Sequence, residues 1–314
     1  MSLRRLLGSV GLVVAALGVA FVVRELVTSW PEVRDALSGA SAPLVAASFV
    51  VASLSMMVIG LGWRWWLAVL GARVPVRRAL SWYYVGQLGK YVPGGIWPIV
   101  GRGEMARRGG VHPRLGYSST VLSLGVTYLA AILVVAATLV AGASGGDEVA
   151  WQPVVALLPI GVLGLHPAVV SRVLDVARRL SRRPLDVPVP RWRTSVLLLL
   201  AHVPAWVGIG LSTWLVALAL DPERPDVLNL VFAGVLSWVV GFLFIPAPGG
   251  IGVREAVFVA AATSLSSLGI AAAVAVVTRV LFVLVDVLSA GVASLVARGA
   301  GPPAADDAEV DATA

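Results

Sequence analysis

The chain contains no cysteine, which excludes disulfides, thiolate metal sites and a cysteine nucleophile. Lysine is nearly absent: Lys90 is the single one among 24 basic residues, the others being arginine. Charge of either sign is scarce, at 13% of 314 residues. Hydrophobic residues make up 58%, and the mean hydropathy is +0.91. No polar stretch is long enough to form a soluble domain, and no G-x-S-x-G, P-loop or dinucleotide fingerprint occurs. His112, His166 and His202 do not pair at metal-ligand spacing, so neither a metal nor a cofactor is expected. The net charge of +7 lies in short arginine clusters between apolar runs, without the basic, aromatic-studded polar surface that nucleic acid requires. This composition belongs to an all-α polytopic membrane protein.

Apolar runs of spanning length cover 6–23, 43–63, 117–142, 151–170, 195–220, 227–245 and 270–296, about seven full transmembrane helices. The first follows Arg4 and Arg5 without a small-x-small cleavage signal and reads as an uncleaved helix. Arginine counting makes three loops cytoplasmic, those around Arg73 to Arg78, Arg102 to Arg114 and Arg172 to Arg193. The acidic turns at Asp147-Glu148 and at Asp221, Glu223 and Asp226 then face outward. The expectation is a multi-pass plasma-membrane protein with a cytoplasmic N-terminus and one integral membrane domain over 1–300. Continued counting puts the acidic tail 301–314 outside, and its composition predicts disorder. Residues 171–183 fit either a short helix on the inner leaflet or an ordinary basic loop. Trp30, Trp63, Trp65, Trp66, Trp151 and Trp192 fall near span ends, where indole anchors at the interface.

Two apolar segments break in the same way. Pro93-Gly94-Gly95-Ile96 is matched by Pro248-Gly249-Gly250-Ile251, with Arg102 and Glu104 after the first and Arg254 and Glu255 after the second. Ser81-Trp82 and Gly86 precede the first at nearly the spacing by which Ser237-Trp238 and Gly241 precede the second. The regions 79–104 and 237–267 therefore form an internal repeat of broken or re-entrant helices. Hydrocarbon offers no hydrogen-bond partners, so unwound backbone persists at membrane depth only beside protein or a water-filled cavity.

Ionisable residues inside apolar segments are costly, on the order of 3 kcal/mol each at the bilayer centre, and need a partner or a purpose. Lys90, Arg254, Glu255, Arg279 and Asp286 are such residues. With Pro93, Gly94, Gly95, Pro248, Gly249 and Gly250 they form the candidate substrate-binding set, and no residue is assigned a catalytic role. On the functional reading Lys90, Arg254 and Arg279 receive an anionic headgroup, with Glu104, Glu255 and Asp286 balancing charge when it is empty. On the structural reading the same charges bridge helices. Arg279 and Asp286 lie seven positions apart, too far for a simple ion pair, so each should meet another helix or a ligand. Arg102 and Glu104 also fit an ordinary basic loop. His202, beside Pro204, could relay protons or bond a carbonyl that the proline frees.

The segments Gly86-Gln87-Leu88-Gly89-Lys90-Tyr91-Val92-Pro93-Gly94-Gly95-Ile96-Trp97 and Pro246-Ala247-Pro248-Gly249-Gly250-Ile251-Gly252-Val253-Arg254-Glu255-Ala256 resemble the two signature segments of the lysylphosphatidylglycerol synthase transmembrane-region family. Members with both activities join a lipid-flipping membrane region to a soluble aminoacyl-transferase domain; this chain resembles a stand-alone member with the membrane region alone. The resemblance implies translocation of a lipid with a charged, phosphate-containing headgroup through a polar cavity. Membrane lipids, and a separate lipid-modifying enzyme, are the partners it implies, while oligomeric state stays open. A membrane-embedded transferase acting on a polyprenyl-phosphate sugar or phospholipid, using Asp221, Glu223 and Asp226, is one alternative. A non-catalytic envelope scaffold is another.

Overall fold

The computed structural model describes residues 27, 30–91, 96–143, 152–172, 188–221, 225–244 and 248–298. The first apolar run, the turn at 147–148, most of 171–183, Trp151, Glu223, the tail, and Pro93, Gly94 and Gly95 of the first break lie outside the described residues. Those described form helices: α1 (Trp30–Ser38), α2 (Ala42–Val69), α3 (Val76–Gln87), a 3₁₀ turn (Leu88–Tyr91), α4 (Trp97–Arg108), α5 (Pro113–Val140), α6 (Gln152–Gly164), α7 (Trp192–Leu220), α8 (Val227–Leu243), a second 3₁₀ turn (Pro248–Gly250), α9 (Val253–Ala261) and α10 (Leu268–Arg298).

Among the described residues, α2, α5, α7 and α10 are long and apolar enough to cross a bilayer. The apolar run 151–170 instead yields the short α6, which carries Pro159, and α8 has 17 residues, about 25 Å of helix. Helix starts follow local chemistry. Pro43 and Pro113 occupy the first turns of α2 and α5, where a missing N–H costs nothing. The Asp226 carboxylate accepts from the Asn229 N–H at 2.7 Å and caps α8.

α2 and α7 run antiparallel in close contact. Ser48 Oγ donates to the Ser212 carbonyl at 2.8 Å, and a side chain at Gly62 would collide with His202. Small and hydroxylic residues let these backbones approach without hydrocarbon between them. Trp63 and Trp66 are fully buried rather than interfacial, and Trp63 Nε1 donates to Thr120 Oγ1 at 3.1 Å. Their place near a span end misled the sequence reading, since helix packing decides which face of a helix meets lipid. Trp30, Trp65 and Trp192 are exposed. His202 is also buried, its Nδ1 2.6 Å from the Leu198 carbonyl. That is not the carbonyl Pro204 leaves without its donor, which belongs to Leu200, four residues before the proline.

Two hairpins interrupt this bundle. α3 and α4 lie side by side, so closely that a Cβ on Gly101 would sit 3.3 Å from Gly86 Cα. α8 and α9 likewise pack together. The hairpins open toward opposite ends. Arg73, Arg78, Trp82 and Gly109 to His112 border one groove, placing the open end of α3–α4 beside the α2–α3 connection. At the other end Asn229 Nδ2 donates to the Ala261 carbonyl at 3.0 Å, and Asp221 accepts from the Ser266 N–H at 2.9 Å.

This geometry puts the end of α10 at the opposite end of the bundle from the one that charge counting implies for it. Arg298, at the end of α10, lines a groove with Arg78 and Arg108, so α10 finishes at the arginine-rich end. Charge counting assumed one passage where the chain makes a hairpin and returns, and that reverses every later crossing.

Candidate functional site

The two breaks meet inside the bundle. Gly249, at φ +57°, faces the Lys90 carbonyl so closely that a Cβ there would lie 3.4 Å from it. An L side chain would be strained in that conformation as well as crowded. Around this junction is a cavity of about 350 Å³, within the range of small-ligand pockets. Its walls are mostly apolar and aromatic, with Leu124, Tyr128, Phe242 and Phe282 among them. Four cations line it: Lys90, Arg102, Arg254 and Arg279.

Two of the four have carboxylate partners set behind them. Lys90 Nζ lies 2.5 Å from Asp286 Oδ2, which also accepts from the Tyr91 hydroxyl at 2.6 Å. Arg279 Nη1 pairs with Glu255 Oε1, while Glu255 Oε2 accepts from the Gly252 N–H at 2.7 Å and caps α9. Arg279 and Asp286 thus each meet another element, as their spacing predicts. Glu255 and Asp286 do not line the cavity.

Arg102 and Arg254 have no carboxylate partner among the described residues. Arg254 Cζ lies 3.5 Å from the centre of the Trp238 ring, and Arg102 Cζ lies 4.1 Å from that of Tyr83. Arg102 also donates to Gln87 Oε1, but its Nε is buried without a partner.

The two arginines occupy equivalent places in the repeat. Tyr83 precedes Gly86 by three positions, as Trp238 precedes Gly241. A Cβ on Gly86 would fall 2.6 Å from Arg102 Cγ, and one on Gly241 would fall 2.4 Å from Arg254 Cγ. In each half an arginine from beyond the break lies across a glycine before it and stacks on the aromatic one helical turn earlier. The sequence alignment paired Trp82 with Trp238, one position out of register. Trp82 instead packs against Gly109 at the open end of the first hairpin. Arg102 is the site residue that sequence reasoning passed over, although the parallel with Arg254 was its visible signal.

Of the residues singled out from sequence, Lys90, Gly249, Gly250, Arg254 and Arg279 line the cavity. Glu255 and Asp286 hold its cations, and Pro248 begins the second 3₁₀ turn. Glu104 points away and is held by Arg107 at 2.7 Å and Arg108 at 2.9 Å, which keeps its carboxyl down at about 2. Asp221 and Asp226, offered as transferase acids, are engaged in holding backbone N–H groups. A separate space of about 20 Å³ borders Trp238, Thr278 and Glu255, room for one water, where the Trp238 indole N–H and the Thr278 hydroxyl lack protein partners.

A polytopic helical membrane protein in which two broken helices meet around a cationic cavity is the class that this fold and site define. The sequence model of the lysylphosphatidylglycerol synthase TM region matches residues 8–290, and the chain belongs to that family. Comparison with curated proteins gives no match.

Proposed function

We propose that the protein is a lipid transporter of the plasma membrane, carrying a charged, phosphate-containing headgroup through this cavity while the tails stay in the bilayer. The observation that carries the reading is the cluster of four cations in a mostly apolar cavity at the junction of the two breaks. A solvated basic surface would not justify placing such charges at depth, whereas a phosphate offers each guanidinium a bidentate partner. The α3–α4 hairpin enters from the cytoplasmic side, given the arginine excess at its open end, and α8–α9 enters from outside. Both are then re-entrant, the run 227–245 drops out of the sevenfold span count, and α10 ends on the cytoplasmic side. Rocking of one hairpin against the other would open the cavity to either leaflet.

The test is headgroup-resolved lipid scrambling in liposomes containing the purified protein, with Arg254→Gln as the comparison. Transfer of a phosphate-bearing lipid by the wild type, reduced about tenfold or more in the variant, is expected. A folded wild type that moves no member of a broad lipid panel refutes transport.

A further inference from the structure

Two positive charges in the cavity remain after its internal pairing. Asp286 neutralises Lys90 and Glu255 neutralises Arg279, leaving Arg102 and Arg254 as the excess among the described residues. These two come from opposite halves of the repeat, and each is oriented by an aromatic face rather than by an acid. Arg102 is 3% exposed, so water does little to solvate it. Conversely, no carboxylate among the described residues faces the cavity. A headgroup ammonium entering it would meet two guanidiniums that no acid offsets and no carboxylate of its own to pair with, at a depth where like charges repel strongly.

Building on the transport reading, we propose that the site selects a lipid headgroup with two negative charges, a terminal phosphomonoester or a diphosphate, and rejects cationic, aminoacylated headgroups. Each unpaired guanidinium takes one pair of phosphate oxygens, and the stacking on Tyr83 and Trp238 keeps both forks aimed inward while the cavity is empty. The structural alternative, that Arg102 and Arg254 only bind helices together, leaves Arg102 Nε buried and unbonded.

Binding reads this selectivity without requiring transport. Short-chain phosphatidic acid, phosphatidylglycerol and lysyl-phosphatidylglycerol are titrated against the full chain in detergent, with inorganic phosphate and pyrophosphate as tail-free probes. Phosphatidic acid should bind at least about tenfold tighter than phosphatidylglycerol, and lysyl-phosphatidylglycerol weakest. The preference should grow as pH rises through the second phosphate ionisation near about 6. Arg102→Gln or Arg254→Gln should bring the ratio of phosphatidic acid to phosphatidylglycerol affinity toward one, and Arg254→Lys should retain part of it. Melting temperatures confirm that each variant is folded.

Lysyl-phosphatidylglycerol binding as tightly as phosphatidic acid, or a ratio unchanged in both glutamine variants, overturns the proposal. Pyrophosphate matching the lipids in affinity would make the ligand a soluble phosphate and overturn it as well. Selective binding with no scrambling of any lipid would refute transport and leave the selectivity standing.

Discussion

Replacing Asp286 with asparagine separates charge from shape at the most deeply buried ion pair among the described residues. Asp286 is fully buried and the Lys90 side chain is 16% exposed, so neither is well hydrated. Removing one partner of such a pair costs about 3–5 kcal/mol, chiefly because the remaining charge is left in a medium that cannot solvate it. The amide oxygen still accepts from the Tyr91 hydroxyl, so the loss at that bond is about 1 kcal/mol or less. Asp286→Asn should therefore lower unfolding stability in detergent by about 3 kcal/mol or more. Lys90→Met should cost a similar amount, because Asp286 then keeps only the tyrosine. Together the two changes remove both buried charges and should return stability to within about 1–2 kcal/mol of the wild type, a coupling of about 4 kcal/mol or more. Denaturant unfolding of the four proteins measures it. Effects that add to within about 0.5 kcal/mol would refute the pair as a structural unit. If the double variant folds but no longer moves lipid, Lys90 serves the cavity as well as the helices.

Gly241→Ala and Gly86→Ala should differ although the positions are equivalent. The atoms nearest the new methyl at 241 belong to the Arg254 side chain rather than to backbone, 2.4 Å at Cγ and 3.1 Å at Cδ, and alanine regains about 1 kcal/mol of helix propensity. Its melting temperature should change little while scrambling falls, since the guanidinium is pushed off Trp238; unaltered transport would argue against that placement. At 86 the methyl also meets the Arg102 backbone nitrogen at 3.1 Å, and overpacking of about 1–3 kcal/mol should appear in the melt. At the exposed end, the hydrogen bonds from Arg107 and then Arg108 hold Glu104 at about 2, below its ordinary 4.5. A lowered carboxylate contributes stability that is fully present above about 4.5 and disappears as pH falls toward about 2. The small melting difference between wild type and Glu104→Gln should therefore close over that window, and a difference that widens on acidification would contradict the assignment.

Much of the site could be read locally. Glycine and proline interrupting apolar runs mark a break whatever surrounds it, because they act on their own dihedrals and hydrogen bonds. Lys90, Arg254, Arg279 and Asp286 stood out because a charge in an apolar stretch is conspicuous in one dimension. Arg102 did not, since it sits among Arg107, Arg108 and Arg114 and shares their composition; only the hairpin turns it inward while Glu104, two residues on, faces solvent. Trp63 and Trp66 illustrate the same limit, as a span end seen in sequence does not reveal which side of the helix another helix covers.

Composition alone settled that the chain is a helical membrane protein, because spanning length and the expense of bare backbone in hydrocarbon depend only on local residue content. Repeated Pro-Gly-Gly-Ile likewise established two related breaks. Tertiary structure decided that the breaks meet, that Lys90 pairs with Asp286 from the far half of the chain, and that Arg279 takes Glu255 and leaves Arg102 and Arg254 without acids among the described residues. It also turned the end of α10 back to the arginine-rich side. Those outcomes depend on which helices pack together and in which direction each hairpin returns, and no periodicity within a single helix encodes them.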